Sequence, residues 1–167
     1  MQLDEAKEQF IQTWGTLGSN WGINRTMAQI HALLLVSPEA LSTETIMERL
    51  SVSRGNTNMN TRELIAWGLV HKELKQGDRK EYFAAEKDMF IVAQCIMRER
   101  KKRELDPLMR ALDALANIEG EDNADARRYK AVIGEIQDLT AAADKVLTYA
   151  GKAEKTWFFK NFLKLFS

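Results

Sequence analysis

From Ser53 to Gly68 the chain reads S-R-G-N-T-N-M-N-T-R-E-L-I-A-W-G, a helix-length run that is polar over most of its surface and marked at both ends. Ser53 is an N-cap candidate, because its hydroxyl can accept a hydrogen bond from an otherwise unpaired backbone N–H in the first turn. Gly68 is a stop signal, because glycine takes the left-handed conformation after a helix without a Cβ penalty. Helical spacing puts Thr57, Thr61 and Leu64 on the inner side and leaves Arg54, Asn58, Met59 and Arg62 mainly on the outer side, with Asn56 near the tip. That outer set has the chemistry of base edges. Arg can engage guanine O6 and N7 together, Asn can pair with adenine N6 and N7, and a methionine methyl can lie against thymine. A solvated helix face is the ordinary alternative for such a stretch taken alone, so its neighbours decide the matter.

Upstream, Ser42 can cap a short helix in which Ile46, Met47 and Leu50 form an apolar stripe and Glu44 stands in the first turn, near the positive dipole end. The compact turn Ser51-Val52-Ser53 joins this helix to the next. Two short helices so joined form a helix-turn-helix, whose second helix enters the major groove while the first crosses the backbone. Downstream, residues 69–74 and 81–85 have strand character, and the turn between them is Lys75-Gln76-Gly77-Asp78-Arg79-Lys80. Lys75, Arg79 and Lys80 therefore gather at or beside a hairpin tip. Directly after a helix-turn-helix, a basic hairpin is expected to act as a wing over phosphates.

At this level of detail the chain resembles the GbsR/MarR-like winged-helix transcriptional regulators. Four stretches carry the resemblance: W-G-x-L-G-x-x-W-G from Trp14 to Gly22; N-R-T-M-A-Q-I-H-A-L-L-L from Asn24 to Leu35; S-R-G-N, N-T-R-E-L and W-G-L-V between Ser53 and Val70; and G-D-R-K-E-Y-F from Gly77 to Phe83. They fall in the expected order and cover most of residues 10–106. The resemblance implies a dimeric regulator of transcription with an effector pocket between its DNA-binding and dimerisation regions. It places the recognition-helix role on Ser53, Arg54, Asn56, Asn58, Met59 and Arg62, and the wing role on Arg79 and Lys80. Thr57, Asn60 and Thr61 stand where the wider MarR-type helix carries more aliphatic residues on its buried side, which leaves the rotation of the helix open.

The fold expected is mainly α with a small β-hairpin wing: a winged helix-turn-helix plus a helical dimerisation region. The boundaries expected are 1–24 for an N-terminal helix in the dimer or effector region, 25–87 for the DNA-binding domain, and 88–167 for a helical dimerisation region ending in an apolar tail. A chain of 167 residues with only two prolines, Pro38 and Pro107, suits that plan. The single Cys95 excludes an intrachain disulfide and a cysteine cluster for zinc, fits a reducing compartment, and is expected to be a small buried apolar residue. The N-terminus lacks the basic start and apolar run of a signal peptide, and a cytoplasmic location is the expectation. Catalysis has no support. His31 and His71 have no Cys or carboxylate at metal-ligand spacing, the serines lack a nucleophile-elbow context, and Gly15, Gly18 and Gly22 lack a phosphate-loop pattern. No metal and no cofactor are expected.

Formal net charge is zero, although duplex affinity comes largely from neutralising phosphates. The charges are nonetheless segregated. Residues 87–103 carry six basic and two acidic side chains, mainly through Arg98, Arg100, Lys101, Lys102 and Arg103, whereas residues 104–149 carry five basic and ten acidic. One end can face a polyanion while the acidic region stays beyond a screening length of roughly 8 Å. A solvated helix face is the plainer reading of that basic run.

In the C-terminal half, Tyr129, Val132, Ile136, Leu139, Ala143, Val146 and Ala150 recur at three- and four-residue steps, and Leu105, Leu108, Leu112 and Leu115 form a second seam. Asp106-Pro107 can supply an N-cap and first helical residue, so a helix from about Asp88 is expected to break or kink there. The loop at Gly120-Glu121-Asp122-Asn123 makes an antiparallel helical pair the simplest product. Packing within the chain or a dimer interface would satisfy the seams, and the resemblance favours the dimer. Phe10, Trp14, Leu17 and Trp21 share one stripe of the N-terminal helix. Core or dimer packing is the ordinary role of such a stripe, and an aromatic box formed by Trp14 and Trp21 around a cationic effector is the sharper one. The segment from Lys155 to Phe166 sets seven large apolar side chains among three lysines. Docking on the chain's own helices or on a second subunit is expected in preference to a membrane surface. The function expected is a sequence-specific double-stranded DNA-binding regulator, a homodimer modulated by a small molecule. The alternative is a non-DNA interaction module, docking proteins or a membrane surface on the same scaffold.

Overall fold

Side-chain caps fix where three helices of the N-terminal half begin. In the computed structural model, which describes residues 1–20, 22–119 and 123–152, Asn24, Ser42 and Ser53 each accept a backbone N–H three residues on, from Met27 at 3.2 Å, Thr45 at 3.2 Å and Asn56 at 3.3 Å. They start α2 (Arg25–Val36), α3 (Thr43–Leu50) and α4 (Arg54–Trp67). The turn between α3 and α4 is sharp because Ser51 adopts the left-handed conformation, φ 54°, while Val52 N–H returns to the Met47 carbonyl. Gly68, at φ 78°, ends α4 and donates back to the Ile65 carbonyl, so the chain leaves the helix directly into a strand.

The strands are β1 (Leu41–Ser42), β2 (Val70–Glu73) and β3 (Tyr82–Ala85), in the order β1-β3-β2 and antiparallel throughout. The hairpin expected from the sequence is present, β2 shorter by one residue at each end and β3 by its first residue. The third strand was not foreseen, since two residues carry no readable alternation. Its pairing of Leu41 with Phe83 and Ser42 with Tyr82 fastens the wing to the residue that caps α3.

The chain divides into two compact units, Met1–Val92 and Ala93–Ser167. In the first, α2 is the central helix: Ile30, Leu33 and Leu34 are buried with Ile46 of α3, Leu64 of α4 and Phe83 of β3. Helix α1 (Leu3–Asn20) belongs to this unit and buries Ile11, Gly15 and Gly18 against α2. A Cβ on Gly18 would come within 2.6 Å of the Ala28 Cβ, so a glycine there lets the two backbones approach. Lys87, just after β3, closes the C-terminal end of α2: its Nζ donates to the carbonyls of Leu34 (2.6 Å), Leu35 (2.8 Å) and Ser37 (2.9 Å). A cation on carbonyls left unpaired at a helix end is favourable both by charge and by hydrogen bonding.

In the second unit, α5 (Met89–Arg100), which begins in the first, leads into a π-helical turn, Lys101–Leu105, then α6 (Asp106–Ala116) and α7 (Ala124–Lys152). Of the break or kink expected at Asp106-Pro107, the break, with Asp106 as N-cap, is corrected: the helix continues through a local change of winding. Leu105 and Asp106 both have right-handed helical dihedrals, and Asp106 N–H reaches the Lys101 carbonyl. The wider turn absorbs the proline, which can neither donate nor sit against a regular turn behind it. Helices α6 and α7 pair antiparallel, with Tyr129 Oη donating to the Leu115 carbonyl and Gln137 Nε2 to Asp113 Oδ1. The face of α7 buried in the chain centres on Ile133 and Thr140, whereas Val132, Ile136, Leu139 and Val146 of the expected seam are exposed. Of the other seam, Leu112 is buried, and Leu108 and Leu115 are exposed. Cys95 is free and buried. Among the described residues no helix is long and apolar enough to cross a membrane. The aromatic segment from Lys155 to Phe166 lies outside the described residues.

Candidate nucleic-acid interface

Helix α4 divides into two faces along its length. Thr57, Asn60, Thr61, Leu64 and Trp67 are buried, while Arg54, Met59 and Arg62 are exposed and Asn56 and Asn58 are half-buried. Polar side chains can line the inner face because their donors are paired within the helix, although the Asn60 Oδ1 is buried without a partner among the described residues. Thr57 Oγ1 donates to the Ser53 carbonyl (3.0 Å), Thr61 Oγ1 to the Thr57 carbonyl (2.9 Å), and Asn60 Nδ2 to both the carbonyl and the Oδ1 of Asn56. The rotation left open by the sequence is thereby given: Arg54, Asn58, Met59 and Arg62 share the outward side, Ser53 holds the cap, and Asn60 lies inside.

The wing is braced from within. Asp78 accepts from the Lys80 N–H (2.9 Å) and the Tyr82 hydroxyl (2.8 Å), and Lys75 Nζ lies 4.3 Å from the centroid of the Tyr82 ring. These contacts hold the Asp78 carboxyl below its ordinary range, the Lys80 N–H first and the Tyr82 hydroxyl second, and push the Tyr82 phenol up. Lys75 also stands 4.0 Å from Glu39, so its charge is shared with its own chain, although Lys75, Arg79 and Lys80 are all exposed at the turn. Lys72 pairs with Glu81 across the strands. The bracing roles of Asp78 and Tyr82 were invisible in the sequence, since nothing in their spacing distinguishes them from any turn acid and strand aromatic.

Arg54 is tied to α3. Its Nη2 lies 2.8 Å from Glu44 Oε1, both side chains remaining partly exposed. The Glu44 carboxyl is held below its ordinary range by its own backbone N–H and then by Arg54.

The basic run at residues 98–103 is largely answered within its own unit. Arg100 pairs with Glu104 (3.1 Å), Arg103 with Glu99 (4.0 Å), and Lys101 with both Asp106 (2.9 Å) and Asp144 (2.8 Å). Trp14 is half-buried, its ring 5.4 Å from that of Phe10 and 6.2 Å from that of His31; Trp21 lies outside the described residues. His31 is buried with its Nε2 unpartnered among the described residues, and burial, aided by the charge of Lys87, pushes its pKa down to about 4. His71 is exposed on β2, 3.4 Å from Glu73. Among the described residues there is no cluster of His, Cys, Asp or Glu able to hold a metal.

This arrangement has recognisable relatives. Residues 21–81, which run from the α1–α2 junction to the second strand of the wing, match the model of the MarR family. Over 144 residues the chain is 27% identical to the HTH-type transcriptional regulator MmpR5 of Mycobacterium tuberculosis, a span that covers 85% of this chain and 82% of that protein. A transcriptional regulator solved by crystallography superposes with a TM-score of 0.62 at 25% identity, covering 87% of this chain and 95% of its own. With a helix-turn-helix, a polar outward α4 face and a braced basic wing in one unit, the chain is similar to the MarR family of winged-helix proteins, and these likenesses support a DNA-binding transcriptional regulator.

Proposed function

We propose that the protein is a homodimer that reads specific double-stranded DNA sequences through the outward face of α4 and grips phosphates with its wing. The carrying observation is that Arg54, Asn58, Met59 and Arg62 share one exposed side of α4 while β1–β3 pairing fastens the Arg79 and Lys80 turn to the cap of α3. In this reading Asn56, Asn58, Met59 and Arg62 face base edges, and Ser53, Arg54, Lys75, Arg79 and Lys80 face the sugar-phosphate backbone or its margin.

Dimerisation is assigned to residues 88–167. It is supported by the exposed apolar stripe Val132, Ile136, Leu139 and Val146 on α7, a costly surface to leave in water. Two copies would present recognition helices about one DNA turn, roughly 34–36 Å, apart. Control by a small molecule is part of the same reading, with Trp14 and Trp21 as its aromatic members; its support is the half-buried Trp14 indole in an aromatic cluster on α1.

The test is to select a duplex from a random library and measure binding by fluorescence anisotropy, beside a scrambled duplex, over a salt series. Log affinity should fall linearly with log salt, by about 0.9 per phosphate neutralised, and the selected duplex should bind more tightly. Absence of salt-dependent binding to either duplex would favour a protein or membrane docking module instead.

A further inference from the structure

Glu44 stands where three elements meet. It belongs to the first turn of α3, its Oε1 accepts from Arg54 Nη2 of α4 at 2.8 Å, and the pairing of Ser42 with Tyr82 brings β3 to within two residues of it along the chain. The electrostatics agree with that placement. Lys80 helps hold the Glu44 carboxyl low, though less than its own backbone N–H and Arg54 do, and Glu44 adds to the upward push on the Tyr82 phenol. One carboxylate thus pairs with Arg54 of α4 and lies within electrostatic reach of Lys80 and Tyr82 of the wing.

The proposed function turns those groups toward the duplex, and the inference rests on that reading. Phosphate contacts supply essentially all of the affinity for arbitrary sequence. A carboxylate among these cations offers them the same kind of oxygen that a phosphate offers, from within the protein. Arg54 must leave Glu44, or share it, before it can meet a phosphate, and Glu44 repels that phosphate at close range. Complexes held only by phosphates bear the whole of this cost, because they have nothing else to hold them. A complex held also by base edges through Asn58, Met59 and Arg62 keeps those contacts whatever Arg54 does.

We infer that Glu44 is a specificity-determining residue, a phosphate mimic built into α3 that withholds Arg54 from the DNA backbone and so suppresses binding to arbitrary sequence more than binding to the operator.

The decisive substitution is Glu44→Gln, which keeps the shape and an acceptor for Arg54 and removes the charge. An exposed ion pair contributes little to folding, and an unchanged far-ultraviolet circular dichroism spectrum confirms that the fold is kept. Affinity is measured on the duplex that the wild-type protein selects from a random library and on a scrambled duplex, across a salt series. The expected result is a severalfold gain on the scrambled duplex, a smaller gain on the selected one, and a salt slope on the scrambled duplex steeper by about 0.9, one extra phosphate. In an Arg54→Ala background the same change should give a smaller gain. A helix-dipole role for Glu44 would move the thermal midpoint and leave the slope alone. Weaker binding to both duplexes would mean that Glu44 positions Arg54 productively, and an unchanged ratio and slope would mean that it is a bystander; either overturns the inference while leaving DNA reading intact. Wild-type protein that binds neither duplex in a salt-dependent way overturns both.

Discussion

Asn60 donates its Nδ2 to both the backbone carbonyl (2.8 Å) and the side-chain Oδ1 (2.7 Å) of Asn56, from a position with no solvent exposure. The amide has to point this way, because the flipped orientation would set an oxygen against the Asn56 carbonyl. The N-terminal turn of α4 is therefore held from its inner side. It also follows that the Asn56 acceptor is already used, which leaves its NH₂ group free for acceptors such as guanine O6 and N7 or a phosphate oxygen, and disfavours bidentate pairing with adenine.

Asn60→Ala should accordingly cost about 1–3 kcal/mol in stability, since it removes a buried donor and leaves space behind. Asn60→Asp should cost more, because a carboxylate would face two oxygens without solvent. Urea denaturation of the three proteins gives the order directly, and equal midpoints would mean that the Asn60–Asn56 pair contributes nothing to the fold.

Arg62 and Lys80 should fail differently. Arg62 projects from the exposed side of α4, and Lys80 stands on the wing turn. If Arg62 reads a base, Arg62→Ala costs on the order of 1–3 kcal/mol on the selected duplex and little on a scrambled one, whereas Lys80→Ala weakens both alike and lowers the salt slope by about one phosphate. A specificity ratio that Arg62→Ala leaves untouched removes that arginine from base reading.

What could be seen in the sequence was whatever depends on a few adjacent residues. Ser42, Ser53 and Gly68 act on backbone groups within one turn, so the limits of α3 and α4 followed from them. Strand β1 could not be seen, because its two residues are strand only by virtue of Phe83 and Tyr82 some forty positions away. Asn60 and Thr61 looked like a fault in the buried face because their partners, the carbonyls of Asn56 and Thr57, are backbone atoms with no mark in the sequence. The basic run at 98–103 showed its charge but not its partners, since Asp144 is reached only through the fold. On α7 the apolar period marked the side of Val132, Ile136, Leu139 and Val146, while the side buried in the chain carries Ile133 and the polar Thr140, which form no readable apolar period.

Acid should weaken the first unit through His31. Its pKa is 6.5 in an unfolded chain and about 4 in the fold, chiefly from burial and secondarily from the charge of Lys87. Between those values the unfolded state binds the additional proton, so stability is full above about pH 6.5, falls as the pH drops, and loses this dependence again below about pH 4. The loss is on the order of a few kcal/mol if the ring stays neutral throughout. His31→Gln should flatten the stability profile between pH 6.5 and 4, as read by denaturant midpoints at several pH values. A wild-type profile already flat across that window would show that the ring does not resist protonation.

The two sides of α7 make opposite predictions for a single acidic substitution. Ile133 is 8% exposed and belongs to the packing within the second unit, whereas Leu139 is 71% exposed and lies on the stripe assigned to a second copy. Ile133→Glu buries a charge without a partner and should unfold the helical pair, lowering helix content by circular dichroism. Leu139→Glu places its charge in water in the monomer but in the middle of the contact in the dimer. It should therefore keep its helix content while shifting sedimentation from dimer to monomer, and its affinity for a two-half-site duplex should fall far more than for a single half-site. A Leu139→Glu protein that still sediments as a dimer would move the interface away from this face, and one that loses its helix would mean that Leu139 is packed within the chain.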